Sequence, residues 1–173
     1  MKTLIIIWRV LASIALLTLV SPFVWERVTG DYFMVVTGES MLPTYEIGDV
    51  LAVQRPQGDE LRVDGNIVVV TMTPGDKDTQ YVHRVLSHTD TDAILKGDGN
   101  ERQDPSPVTQ DLVMGSPRFA LQGPVADAFR FIESWGGRIG IAAVMLPAFV
   151  VSARRGSRPS RTNVTPDVEL ATV

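Results

Sequence analysis

Three residues with complementary chemistry occur in order along the chain: Ser40, His83 and Asp104. A hydroxyl, an imidazole and a carboxylate can form an activated nucleophile, because the imidazole takes the hydroxyl proton and the carboxylate orients the imidazole. Ser40 lies in residues 38–44, Gly-Glu-Ser-Met-Leu-Pro-Thr, a turn-forming stretch between two apolar runs. A lone serine in a turn is usually only a turn residue, so the interpretation depends on the downstream histidine and aspartate.

The base of such a site would be one of the two histidines, His83 or His88. An unperturbed histidine has a pKa near 6.5 and can act as a neutral base with little tuning, whereas a lysine would need strong desolvation. Residues 80–86 predict a β-strand, in which His83 shares a face with Tyr81 and points away from Arg84. We predict that His83 is the base, although a histidine within a strand is also commonly structural. His88 is predicted to be a solvated loop residue, and Arg84 to form a structural ion pair.

The residues beside the serine and after the histidine each have two interpretations. Asp104 either orients His83 or caps the turn that follows it. Asp98, in a tight Gly-Asp-Gly-Asn turn, either supports the site or bonds the backbone N–H groups of its own turn. Met41 either belongs to the core or forms part of an apolar wall that receives small side chains of an extended substrate.

The composition excludes several kinds of metal site. The 173-residue chain has no cysteine, so disulfides and thiolate ligands are ruled out. Two histidines make a multi-histidine zinc centre improbable. We therefore predict chemistry that uses neither a metal nor another cofactor.

Short apolar runs separated by turn residues predict a mainly β domain from about residue 30 to residue 125. The predicted strands lie at residues 32–36, 49–53, 66–72, 80–86 and 93–95, with further strands at 108–115 and 118–122 punctuated by prolines.

An apolar stretch at residues 4–25 contains a single charge, Arg9. At about 1.5 Å per residue this stretch would span about 33 Å as a helix, which is enough to cross a bilayer core. A cleavable signal peptide is the alternative, but residues 21–25 lack the small-residue pair that cleavage requires. We predict a retained transmembrane anchor at residues 1–25, followed by an extracytoplasmic domain at residues 26–138.

A second apolar run covers residues 139–151 and is short for a membrane span. We predict a short membrane-spanning helix at residues 139–152, with a buried or interfacial helix as the alternative. Residues 153–173 are rich in arginine, serine, proline and threonine and predict a disordered tail.

Charge divides the chain between its ends and its middle. Residues 26–138 hold ten Lys and Arg against eighteen Asp and Glu, whereas both ends are basic. This distribution predicts that both termini are cytoplasmic and that the middle lies outside the cell membrane. An acidic domain also argues against nucleic acid as a partner.

The motifs together resemble a known family of enzymes. Residues 40–44, Ser-Met-Leu-Pro-Thr, resemble the serine box of type I signal peptidases, and residues 81–85, Tyr-Val-His-Arg-Val, resemble their second catalytic box. Most bacterial members carry a lysine at the position of His83, whereas the endoplasmic-reticulum and archaeal type carries a histidine. Residues 96–100, Lys-Gly-Asp-Gly-Asn, resemble the family's Gly-Asp-Asn box, and Asp104 occupies the position of the functional aspartate.

This resemblance implies a β catalytic domain of the kind that signal peptidases share with self-cleaving repressors, held by an N-terminal transmembrane helix and a short C-terminal membrane segment. It implies a serine protease that removes signal peptides from secreted preproteins at the membrane, with Ser40 as nucleophile, His83 as base and Asp104 as a third catalytic residue. Asp98 and Met41 would support the site.

The chain departs from the family pattern at two positions. Leu42 stands where the histidine type usually has an acid, and Gly38 stands where many members have a hydroxyl that assists the oxyanion hole. Thr37 or backbone N–H groups could replace that hydroxyl. Two other functions remain open: a self-cleaving repressor-type peptidase, which would need a lysine base and a DNA-binding domain, and a non-catalytic membrane-anchored β module.

Overall fold

The computed structural model describes residues 2–153 of the protein. An N-terminal helix is followed by a β domain and two C-terminal helices. The helices are α1 (Lys2–Thr29), α2 (Gly123–Glu133) and α3 (Trp135–Ala153), and the strands are β1 (Tyr32–Val35), β2 (Val50–Gln54), β3 (Ile67–Thr71), β4 (Gln80–His88), β5 (Asp92–Lys96), β6 (Val108–Thr109) and β7 (Val113–Leu121).

The seven strands form one antiparallel sheet in the order β1-β2-β7-β3-β4-β5-β6. Strand β3 is buried on both faces because Val68 and Val70 pack into one apolar cluster while Val69 packs into another. The sheet curls around these two clusters. Strand β4, which pairs with β3, has Val82 in the second cluster and Val85 in the first, so it separates the two halves of the core.

The predicted mainly β domain is confirmed, and its strands lie close to the predicted positions. The last part differs, because residues 108–115 do not form one strand: a short helical turn at Gln110–Leu112 divides β6 from β7. Strand β7 then continues through Pro117, where a break was predicted. A register shift opposite Ala52 and Val53 leaves Arg118 without a partner residue on β2, and such bulges tolerate proline in a strand.

The helices are longer than predicted. Helix α1 extends to Thr29, past the predicted end at residue 25, and α3 begins at Trp135 and not at residue 139. Helix α2 was not predicted; it begins directly after the sheet with Pro124 in its first turn, where proline favours helix initiation. Of the helices in residues 2–153, α1 alone is long and apolar enough to cross a membrane, with a mean hydropathy of 2.3 in its most apolar window.

Helix α1 is joined to the sheet at its C-terminal end. The Trp25 ring lies edge-on to the Phe119 ring at 5.8 Å between centroids, and Arg118 Nε donates to Asp31 Oδ2 at 2.8 Å. Asp31 is only 3% exposed. Helix α3 packs along α1. The predicted membrane crossing of α3 stays a prediction, and the predicted tail at residues 153–173 lies outside the described residues but for its first position.

Candidate active site

Three segments of the chain meet at one corner of the sheet. The β1–β2 connection at residues 36–49 carries Ser40, β4 carries His83, and the segment after β5 carries Asp98 and Asp104.

The serine segment is a compact turn that backbone hydrogen bonds hold against the segment after β5. Gly99 N–H donates to the Ser40 carbonyl oxygen at 2.8 Å, and Leu42 N–H donates to the Glu39 carbonyl at 3.1 Å. The Leu42–Pro43 peptide bond is cis. Ser40 is half-buried. Within residues 2–153 its backbone N–H donates no hydrogen bond, so this donor is available to a ligand.

The histidine and the second aspartate form a buried pair. His83 Nδ1 lies 2.8 Å from Asp104 Oδ2, and the two side chains are 10% and 13% exposed. Asp104 is held in place because its N–H donates to the Leu95 carbonyl on β5 at 2.8 Å. The Tyr81 ring lies edge-on to the imidazole, with 5.0 Å between ring centroids. A carboxylate on Nδ1 orients the ring so that Nε2 is the nitrogen left for proton transfer.

Gly97 lies between the serine turn and the histidine. A Cβ atom on Gly97 would lie 2.9 Å from His83 Nε2 and closer still to the Ser40 carbonyl oxygen. His83 Nε2 and the Ser40 carbonyl oxygen therefore lie close to each other, on either side of the space that this Cβ would fill. The absence of a side chain at residue 97 allows the approach.

Ser40 Oγ makes no hydrogen bond to His83 in the described part of the chain. Ser40 and His83 are thus brought to the same corner without a hydrogen bond between their side chains. In sites without substrate such bonds are often long, and they shorten when substrate binds.

A second ion pair lies on the opposite face of β4. Arg84 Nε and Nη2 donate to the two oxygens of Asp98 at 2.8 and 2.6 Å, and the Thr44 hydroxyl donates to the same carboxylate. The hydrogen bonds from Arg84 lower the pKa of Asp98, with burial opposing and Thr44 assisting the shift. The bond to Asp98 in turn raises the pKa of Arg84. This network ties β4 to both the serine turn and the segment after β5.

The matching family decides what kind of domain this is. A model described as Peptidase S24-like matches residues 16–125, which include every strand of the sheet and the whole corner around Ser40. The chain belongs to the Peptidase S24-like family. It therefore carries a serine peptidase-like domain of the hydrolase kind. No curated protein matches the chain.

Within this S24-like domain the remaining predicted residues lie as follows. Met41 is 1% exposed and packs in the core cluster with Val36 and Val82, beneath the serine turn. His88 is the last residue of β4, so it is a strand residue and not a loop residue. Its side chain is exposed, and its Nδ1 lies 2.7 Å from Asp64 Oδ1. The Asp98 carboxylate accepts hydrogen bonds from the Arg84 guanidinium and from the Thr44 hydroxyl.

Sequence reasoning missed two contributors to this corner. The sequence pattern marks Gly97 only as part of a turn, whereas in the structure its missing side chain leaves room for the serine turn beside the imidazole. The sequence assigns Thr44 no role of its own within the serine box, whereas in the structure its hydroxyl joins that box to Asp98. The available signal for each was its position inside a motif, Thr44 in residues 40–44 and Gly97 in residues 96–100. In the residues that the structure describes, no group of three or more potential ligands could hold a metal ion.

Proposed function

We propose that this protein is a membrane-bound serine endopeptidase that removes signal peptides from secreted preproteins. The observation that carries the proposal is the 2.8 Å contact between His83 and Asp104 beside the serine turn. Membership of the S24-like family supports peptidase chemistry, and the apolar helix α1 supports attachment to a membrane.

Acylation would begin when His83 Nε2 takes the proton of Ser40 Oγ. The oxygen attacks the scissile carbonyl carbon, and the Ser40 N–H stabilises the negative charge on the carbonyl oxygen. Collapse of the intermediate breaks the carbon–nitrogen bond, and the proton passes from His83 to the departing amine. Asp104 stabilises the positive charge that the imidazole carries between these two transfers.

Deacylation repeats the same steps with water. His83 takes a proton from a water molecule, whose oxygen attacks the ester carbon, and then returns the proton to Ser40 Oγ as the ester bond breaks. The products are the free signal peptide with a new carboxylate and the mature protein with a new amine. Neither half-reaction requires a metal or another cofactor.

The membrane would bring substrate to the site. A signal peptide is itself apolar and lies in the bilayer, and confinement of enzyme and substrate to one plane raises their effective concentration. The contacts of Trp25 and Asp31 hold α1 against the sheet, so the domain stays at the membrane surface. In this proposal the domain faces the extracytoplasmic side and both termini are cytoplasmic, as the charge distribution predicts.

An extended substrate segment would add beside β1, which is an edge strand of the sheet. Small residues before the scissile bond would approach the apolar surface above Met34 and Val36, which pack in or against the same cluster as Met41.

The experiment is cleavage of a preprotein in detergent by the full chain and by Ser40→Ala. We expect the variant to lose cleavage by more than about 10³-fold, because no other hydroxyl replaces the nucleophile. Ser87→Ala, which removes an exposed serine on β4, is the matched control and should cleave normally. Unchanged cleavage by Ser40→Ala would overturn the assignment, and an inactive parent protein would favour a non-catalytic membrane-anchored module.

A self-cleaving repressor-type peptidase is the other enzymatic candidate. The same reaction distinguishes it, because such an enzyme would cut its own chain and not an added preprotein. His83 in place of a lysine and the acidic charge of residues 26–138 favour the preprotein substrate.

A further inference from the structure

A cavity of about 670 Å³ borders the His83–Asp104 pair. His83 and Asp104 form part of its wall, and Ser40 does not line it. The other walls come from the end of β3, the β3–β4 hairpin and the proline-rich segment that follows Asp104. The cavity thus shares the proposed base with the active site but not the nucleophile.

The proposed reaction requires the departing part of the substrate to lie beside His83. The acyl part of the substrate stays bonded to Ser40 after the first step, whereas the departing amine must lie next to the imidazole that protonates it. The chain that leaves therefore starts beside His83 Nε2 and continues past the imidazole, which is also part of the cavity wall. Tyr81 and His83, which share a face of β4, both line the cavity, whereas Val82 on the other face packs in the cluster that contains Met41.

We propose that this cavity receives the first residues of the polypeptide that follows the scissile bond, which makes it a specificity site for the mature end of the preprotein. The inference rests on the proposed function. The volume lies within the range of about 300–1,000 Å³ that ligand pockets have, so it exceeds the need of one small side chain.

The lining indicates which side chains the cavity would accept. Met72, Pro107 and Leu112 give it a mainly apolar wall, and Asp78 and Asp104 contribute the charged groups. We expect the cavity to favour apolar or basic side chains after the scissile bond. Acidic side chains are disfavoured, because they would approach these two carboxylates.

Met72 offers the sharpest test because its side chain lines the cavity and is 76% exposed, so a charge there is compatible with folding. The full chain in detergent is given peptides that are identical up to the scissile bond and carry Lys or Asp in the three following positions. We expect Met72→Glu to raise the ratio of kcat/KM for the Lys peptide over the Asp peptide by about fivefold, and Met72→Lys to lower it by about fivefold.

Two controls accompany the test. Val63→Glu places the same charge on another exposed apolar residue, 58% exposed and outside the cavity, and should leave the ratio unchanged. Lys or Asp placed three residues before the scissile bond should not respond to the Met72 variants. In a second variant, Ser106→Trp, the ring narrows the cavity and should slow peptides with large residues after the scissile bond more than peptides with alanine there.

Opposite shifts in the two Met72 variants would support the inference. If the parent enzyme cleaves in a Ser40-dependent manner but neither Met72 nor Ser106 changes selectivity after the scissile bond, the inference is overturned and the proposed function stands. If the parent enzyme cleaves no peptide, the proposed function fails and the inference falls with it.

Discussion

Strand β4 presents two consecutive residues, His83 and Arg84, to two different aspartates. On one face His83 meets Asp104 at 2.8 Å, with side chains 10% and 13% exposed. On the other face Arg84 meets Asp98 at 2.6 Å, with side chains 36% and 16% exposed. Both aspartates come from the same segment after β5. The two pairs therefore differ mainly in which basic residue they contain and in how deeply that residue is buried.

The comparison separates chemistry from architecture. Arginine keeps its proton throughout the accessible pH range, so the Arg84–Asp98 pair can hold three segments together but cannot transfer a proton. An imidazole can accept a proton at one ring nitrogen and release it again, so the His83–Asp104 pair can both hold segments together and transfer a proton. Substitutions in the Arg84–Asp98 pair should change stability, and substitutions in the His83–Asp104 pair should change turnover.

The largest effect is expected from His83→Asn. Loss of the base should lower kcat by about 10⁴-fold or more while the far-UV circular dichroism stays that of the folded protein. His88→Asn is the matched control, because His88 is also paired with an aspartate but lies at the exposed end of β4. Equal losses in the two variants would contradict the distinction between the two histidines.

Asp104→Asn should have the next largest effect. An amide in place of the carboxylate neither fixes the imidazole tautomer nor stabilises the imidazolium, so kcat should fall by about 10³-fold with KM little changed. Steady-state kinetics on a preprotein peptide measures both constants. A rise in KM with kcat unchanged would instead assign Asp104 to substrate binding.

Asp98→Asn should reveal the architectural pair. We expect a loss of about 1–2 kcal/mol in the free energy of unfolding at pH 7, after allowance for solvent screening of the half-exposed Arg84. Urea denaturation of both proteins in detergent measures this difference in the free energy of unfolding. Asp90→Asn, an exposed carboxylate in the β4–β5 turn, is the control and should be neutral.

The same variant has a defined pH dependence. Arg84 lowers the pKa of Asp98 in the folded protein, so the folded state binds fewer protons than the unfolded state. The stability from ionised Asp98 is present above its unfolded pKa near 4 and is lost as pH falls through the lowered folded value. The difference between the parent protein and Asp98→Asn should therefore narrow below pH 4. A constant difference down to pH 2 would contradict the ion pair as the cause.

The smallest effect is a gain, from Gly38→Ser. A Cβ atom at residue 38 would meet no atom within 4 Å, so a hydroxyl can be added two residues before the nucleophile. We expect kcat to rise by about three- to tenfold, because a second donor would assist the Ser40 N–H in stabilising the oxyanion. Gly38→Ala adds the Cβ without the hydroxyl, and an equal gain in that variant would rule out the donor.

The sequence predicted those features of the fold that depend on the pattern of neighbouring residues. Alternation along residues 80–86 placed Tyr81 and His83 on one face of a strand, where the structure also has them. Apolar runs and turns predicted the mainly β domain that the structure confirms. The length of residues 4–25 predicted a helix that could cross a membrane, which α1 is by length and composition.

What the sequence could not supply was the choice among distant partners. Asp98 and Asp104 are separated by five residues in one loop, and pattern alone does not say which of them meets the arginine on β4. That choice depends on the bond between Asp104 N–H and Leu95, which fixes the path of the loop. The strand through Pro117 was likewise unpredictable, because a bulge is defined by the neighbouring strand.

The brace between Asp31 and Arg118 has a mechanical consequence. Asp31 is almost fully buried and the Trp25 ring packs edge-on to Phe119, so these contacts couple the orientation of α1 to that of the sheet. Membrane helices change their tilt to match bilayers of different thickness. In the proposed membrane-bound protein, a change in the tilt of α1 would rotate the β domain with it, so lipid chain length would set the angle at which the Ser40 corner faces the lipid surface.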